Sequence, residues 1–137
     1  MRISKRITAA LVTAGAMTVA GLATAAPASA AAYGGQCGSG YGVVNHATIS
    51  GKGTVYLTYN NSNGYNCVVT IRDKAGSAVP MFAGIARSDD SAWAAVDEGN
   101  YTTYAGPVYR YAKGTCVTWG GAISGSYAGD EDTNCDS

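Results

Sequence analysis

Ten tyrosines, four cysteines, a single histidine and three small groups of carboxylates are the side chains in this sequence that could bind or transform something. A serine hydrolase would need His46 beside an activated serine, but no Gly-x-Ser-x-Gly elbow occurs and Val43-Val44-Asn45-His46 announces no partner. A glycosidase would need two carboxyl groups held across a scissile bond. Asp89-Asp90, Asp97-Glu98 and Asp130-Glu131-Asp132 are adjacent acids among turn-forming residues, which ordinarily stand in water. Asp130, Asp132, Asn134 and Asp136 alternate like the first oxygen ligands of a calcium loop. Cys135 then takes the place where such a loop needs glycine, and no glutamate follows. The expectation is a protein that is not an enzyme, with no metal, no cofactor and no catalytic residues.

The tyrosines point elsewhere. Ten of them accompany one phenylalanine, and a phenol suits a half-buried sheet face because its ring packs while its hydroxyl reaches water or a partner. Tyr101, Tyr104, Tyr109 and Tyr111, with Trp119 and also Trp93 near them, form the candidate aromatic face for stacking on sugars or on another protein.

The start of the chain fixes the compartment. Arg2, Lys5 and Arg6 precede an apolar stretch from Ile7 to about Ala26, and Pro27-Ala28-Ser29-Ala30 follows as a small-residue cleavage signal. Residues 1–30 read as a secretory signal peptide and residues 31–137 as one secreted domain. Removing the first segment leaves six basic residues against nine acidic, a net charge of about −3. Scattered bases in a weakly acidic domain give no electrostatic footprint for nucleic acid, and no later apolar run approaches the roughly 18 residues that cross a bilayer. All four cysteines lie in the exported part, where an even count reads as two disulfides. Of the three pairings, Cys37 with Cys67 and Cys116 with Cys135 is preferred, since each ties an end segment to a β-rich stretch.

Strands must position these groups. Thr54–Tyr59 alternates, with Val55, Leu57 and Tyr59 on one face and Thr54, Tyr56 and Thr58 on the other; Asn63-Gly64 turns the chain, and Cys67, Val69 and Ile71 then alternate with Val68, Thr70 and Arg72. Further strands are expected at Val79–Ile85, Ala92–Val96, Tyr101–Tyr104, Val108–Ala112 and Thr115–Ala122, with a break at Pro107 that suits an edge. Glu98-Gly99-Asn100 reads as a turn and Tyr33–Gly42, with its glycines, as a loop or edge segment pinned by Cys37. Asn60-Asn61-Ser62 and Asn100-Tyr101-Thr102 match the glycosylation triplet but double as turn chemistry. One turn every eight to twelve residues or so predicts an all-β domain, a small antiparallel sandwich or barrel of about six to eight strands with two disulfides.

Tyr33-Gly34-Gly35-Gln36-Cys37-Gly38-Ser39-Gly40-Tyr41, Gly53–Asn60, Gly64–Thr70, Tyr101–Tyr109 and Cys116–Gly121 resemble the spore-associated protein A family of filamentous actinobacteria. The resemblance covers almost all of residues 31–137 and implies a small secreted protein found with spores and aerial growth; it carries over no functional site. The leading expectation is a secreted, non-catalytic protein on the spore or cell surface, whose partner is a spore or cell-wall component. The rival is an inhibitor of an extracellular protease or amylase that presents Arg87-Ser88-Asp89-Asp90 or Tyr109-Arg110-Tyr111 to that protein.

Overall fold

The computed structural model describes residues 32–137; the signal peptide expected over residues 1–30 lies outside the described residues. Eight antiparallel strands follow one another: β1 (Tyr41–Ile49), β2 (Gly53–Asn60), β3 (Tyr65–Arg72), β4 (Val79–Arg87), β5 (Ala95–Tyr101), β6 (Tyr104–Tyr111), β7 (Val117–Ile123) and β8 (Ser126–Thr133). They form two four-stranded sheets, ordered β1-β2-β3-β6 and β5-β4-β7-β8. The all-β sandwich expected from the alternation is what the chain adopts. Among the described residues, no helix is long and apolar enough to cross a membrane.

The β2–β3 hairpin follows from local chemistry. Gly64 adopts a φ of 78° that a side chain would resist. Its N–H closes the turn on the Asn60 carbonyl at 2.9 Å, while the Asn60 and Asn63 side chains accept from the Ser62 and Tyr65 N–H groups. That turn sets the register Leu57↔Val68 and Tyr56↔Val69, so Val55 and Leu57 share the inner face with Val68 and Thr70.

The core between the sheets comprises Val55, Leu57, Val68, Met81, Ala83, Ile85, Val108, Val117, Trp119 and their neighbours. The two sheets approach closely at Gly121, where a Cβ would lie 2.0 Å from the Thr70 hydroxyl. The opposite ends are stitched by polar contacts: Lys52 Nζ donates to Ser126 Oγ at 2.7 Å, and Asn45 Nδ2 donates to Asn134 Oδ1 at 3.0 Å.

Two ion pairs fasten the β4–β5 loop. Arg87 grips Asp89 at 2.8 Å, and Arg110 of β6 binds both oxygens of Asp90 at 2.8 and 3.0 Å, linking the two sheets. The Arg110 guanidinium, aided by the Arg87 N–H, holds the Asp90 carboxyl down at about 2, from an ordinary 3.8. A depressed folded pKa stabilises the fold above the unfolded value, and that contribution disappears as pH falls toward 2. The stability difference between the native chain and an Asp90→Asn variant is therefore expected to be constant above about pH 5. It should shrink steadily between pH 4 and 2 in urea melts taken across that range.

Four local expectations are corrected. Glu98-Gly99-Asn100 is not a turn: those residues lie within β5, paired to Phe82, Met81 and Pro80, because the ladder along β4 satisfies their backbone groups. Asp130–Asp132, expected among turn-forming residues, belong to β8, and Val43–His46, for which no strand was expected, to β1. Each is an edge strand, where polar and charged side chains face water and blunt the apolar alternation. The strand expected at Tyr101–Tyr104 is split: Tyr101 ends β5 in the second sheet, while Tyr104–Tyr111 form a single edge strand, β6, that runs through Pro107 and pairs with β3 around a register shift opposite Gly106-Pro107.

Candidate functional site

Both preferred disulfides are present, Cys37–Cys67 and Cys116–Cys135. The first has the larger structural consequence. Cys67 lies on the outer face of β3, so its bond draws residues 33–40 across the outside of the first sheet. Beneath that segment, Cys67, Val69 and Ile71 form a second, smaller apolar cluster with Cys37, flanked by Tyr33, Tyr41 and Tyr56. The sheet therefore has an apolar layer on each side, and tyrosines cover the outer one.

Register explains their convergence. Tyr65, Cys67 and Ile71 of β3 stand opposite Tyr111, Tyr109 and Tyr104 of β6, placing all six side chains on the same face. The rings then meet edge to face: Tyr41 with Tyr109 and Tyr65 with Tyr111, each at 5.6 Å between centroids, while Tyr33 leans on Tyr56 at 6.0 Å. The Tyr109 hydroxyl donates to the Cys37 carbonyl at 2.9 Å and the Cys37 N–H donates to the Tyr33 hydroxyl at 3.0 Å, locking the segment to the rings. Burial of its hydroxyl, with the phenols of Tyr41 and Tyr33 nearby, raises the Tyr109 pKa. This ring thus stays neutral beyond the usual tyrosine range.

Seven tyrosines occupy this face: Tyr33, Tyr41, Tyr56, Tyr65, Tyr104, Tyr109 and Tyr111. Tyr65, Tyr104, Tyr109 and Tyr111 are each about 40% exposed, enough for a partner to touch the rings.

Of the six aromatic residues expected at one face, Tyr104, Tyr109 and Tyr111 share it. Trp119 does not: it is 1% exposed in the core between the sheets, where its indole N–H donates to Thr133 Oγ1 at 2.9 Å. Its inward position comes from the β4–β7 register, which sets it opposite buried Ile85. Tyr101 is also elsewhere, packed against the main core at the end of β5 with its hydroxyl donating to Asp97, a bond that raises the phenol pKa. Trp93 lies in the β4–β5 loop, edge to face with Phe82 of the second sheet at 5.5 Å. Tyr33, Tyr41, Tyr56 and Tyr65 were missed. The signal for Tyr56 was its alternation against Val55 and Leu57, and for Tyr65 its two-residue spacing from Cys67.

The other chemistry-bearing residues are scattered. His46 is exposed on β1, its ring 6.2 Å from that of Tyr56. Among the described residues, no three histidines, cysteines or carboxylates are grouped to hold a metal ion. The two segments considered for inhibitor presentation meet through Arg110 and Asp90, and both of their arginines are engaged by carboxylates of the same chain.

No protein-family model matches the chain, and no solved structure matches it. A curated relative does: spore-associated protein A of Streptomyces coelicolor is 49% identical over 123 residues, covering 85% of this chain and 79% of that protein. Identity of that order over that share of both chains leaves one family, and the chain belongs to the spore-associated protein A family.

Proposed function

We propose that this is a secreted, non-catalytic protein that associates with the spore or cell surface through the tyrosine-covered face of its first sheet. The observation that supports the reading best is the placement of seven tyrosines on one sheet face over a disulfide-pinned apolar layer. Rigid rings lose little conformational entropy on contact and offer large amphipathic area, which is why tyrosine is favoured at recognition surfaces. The relative's name, spore-associated protein A, supplies the kind of surface.

Co-sedimentation of residues 31–137 with washed spores and with isolated wall material tests it. Saturable binding that persists at high salt is expected, because a face of neutral phenols releases few counterions. Replacing Tyr104, Tyr109 and Tyr111 together by alanine should weaken that binding roughly tenfold or more, since buried tyrosines at an interface commonly contribute over 1 kcal/mol each. Far-ultraviolet dichroism should stay unchanged. Undiminished binding by the triple variant sinks the assignment of the face.

A further inference from the structure

The outer face of the second sheet is built differently from the first. Gly84 of β4, Gly120 of β7 and Gly129 of β8 stand opposite one another in register, so a row without side chains crosses three adjacent strands. Aromatic rings use that space. A Cβ on Gly84 would lie 2.5 Å from the tip of the Phe82 ring and 3.1 Å from Trp93, and a Cβ on Gly120 would lie 2.0 Å from the Tyr127 hydroxyl. The Tyr127 ring and the edge-to-face pair of Phe82 and Trp93 thus fill the space above the glycines and stay in contact with water: Trp93 is 39% and Tyr127 57% exposed. Burial of its hydroxyl against the glycines raises the Tyr127 pKa, with Glu131 adding to the effect.

Hollows flank the rings. One, of about 360 Å³, is lined by Trp93 with Ser88, Ser91, Thr118, Glu131 and Asp132; the other, of about 310 Å³, by Phe82 with Pro80, Glu98, Asn100 and Ala122. Carboxylates therefore stand on both sides of the aromatic strip. Among the described residues that line the hollows, Arg87 is the basic one, already engaged by Asp89, and the lining Asp90 is taken up by Arg110. Glu98, Glu131 and Asp132 form no ion pair among the described residues.

We infer that this face binds a polysaccharide bearing free amino groups, with sugar rings laid on Trp93, Phe82 and Tyr127 and their ammonium groups met by Glu98 and Glu131. Ring faces attract both the C–H face of a sugar and a cation, through the negative face of the π-system. Unpaired carboxylates accept from hydroxyls and, more strongly, from ammonium groups. A neutral or acidic polymer would leave those carboxylates desolvated without a charged partner, which is costly. An aromatic strip spanning strands about 4.8 Å apart suits an extended chain of several sugar units running across the sheet. This site is separate from the tyrosine face and does not depend on it.

The test is titration calorimetry of residues 31–137 with a glucosamine oligomer at mildly acidic pH, with the fully N-acetylated oligomer and oligolysine alongside. Tryptophan emission is followed in parallel, since Trp93 is exposed while Trp119 is buried. Saturable binding of the glucosamine oligomer with a change in emission is expected. Trp93→Ala and Tyr127→Ala should each weaken it at least tenfold without altering the dichroism spectrum, and the Glu98→Gln, Glu131→Gln pair should flatten its salt dependence. Absence of saturable binding overturns the proposal. So does equally tight binding of the acetylated oligomer, tighter binding of oligolysine, or affinity unmoved by the ring variants.

Discussion

Alanine in place of Trp119 is expected to lower the unfolding free energy by about 3–5 kcal/mol, the range for deleting a large buried aromatic side chain. The residue is 1% exposed, packs in the main core and is held by its N–H bond to Thr133. For a domain of this size, a loss of that order lowers the melting temperature by roughly 15 °C or more. Trp119→Phe keeps most of the ring but removes the donor, so it should cost less, about 1–2 kcal/mol. Urea melts of the two variants check the order. A Trp119→Ala variant as stable as the native chain would mean that the indole does not fill the space between the sheets.

The second large effect couples stability to the functional surface. Replacing Cys37 and Cys67 by alanine should cost about 3–4 kcal/mol on the chain-entropy model, given their sequence separation of 30. Replacing Cys116 and Cys135, 19 residues apart, should cost nearly as much, about 3 kcal/mol. The two variants separate in function. Only the first releases residues 33–40 from the outer face of β3, uncovering Val69 and Ile71 and depriving Tyr109 of the Cys37 carbonyl. It should bind a hydrophobic dye and lose most of its affinity for spores at a temperature where it is still folded. The Cys116/Cys135 variant should keep that affinity. Equal losses in both would assign the effect to global stability and not to the face.

How much of this was readable beforehand depends on where each residue sits in its sheet. The central hairpin of β2 and β3 was plain, because strict alternation and Asn63-Gly64 agree locally with the final pairing. The edge strands β1 and β8 were not. β1 carries consecutive exposed valines at a register shift, and β8 carries Asp130-Glu131-Asp132. Neither shows the alternation of a strand buried on one side, since an edge can leave its charges in water. Turn propensity at Glu98-Gly99-Asn100 was overridden by pairing with β4, a long-range effect that no local window contains.

The site divides in the same way. Tyr109 and Tyr111 share a face by their spacing alone. Tyr65 and Tyr104 join them only through the β3–β6 pairing, and Tyr33 only through a disulfide. Trp119 was misplaced because side-chain chemistry does not say which face of a strand is inward; its opposition to Ile85 does. The preferred disulfide pairing was reached from the positions of the cysteines beside the predicted strands.

Footprinting of tyrosines in the spore-bound state tests the central claim most directly. Residues 31–137 would be exposed to hydroxyl radicals free and on washed spores, and the oxidation of each tyrosine read by peptide mass spectrometry. Binding through the first sheet predicts protection of Tyr65, Tyr104, Tyr109 and Tyr111, with Tyr127 on the opposite sheet as reactive as in the free protein. Protection of Tyr127 with the other four left reactive would contradict it.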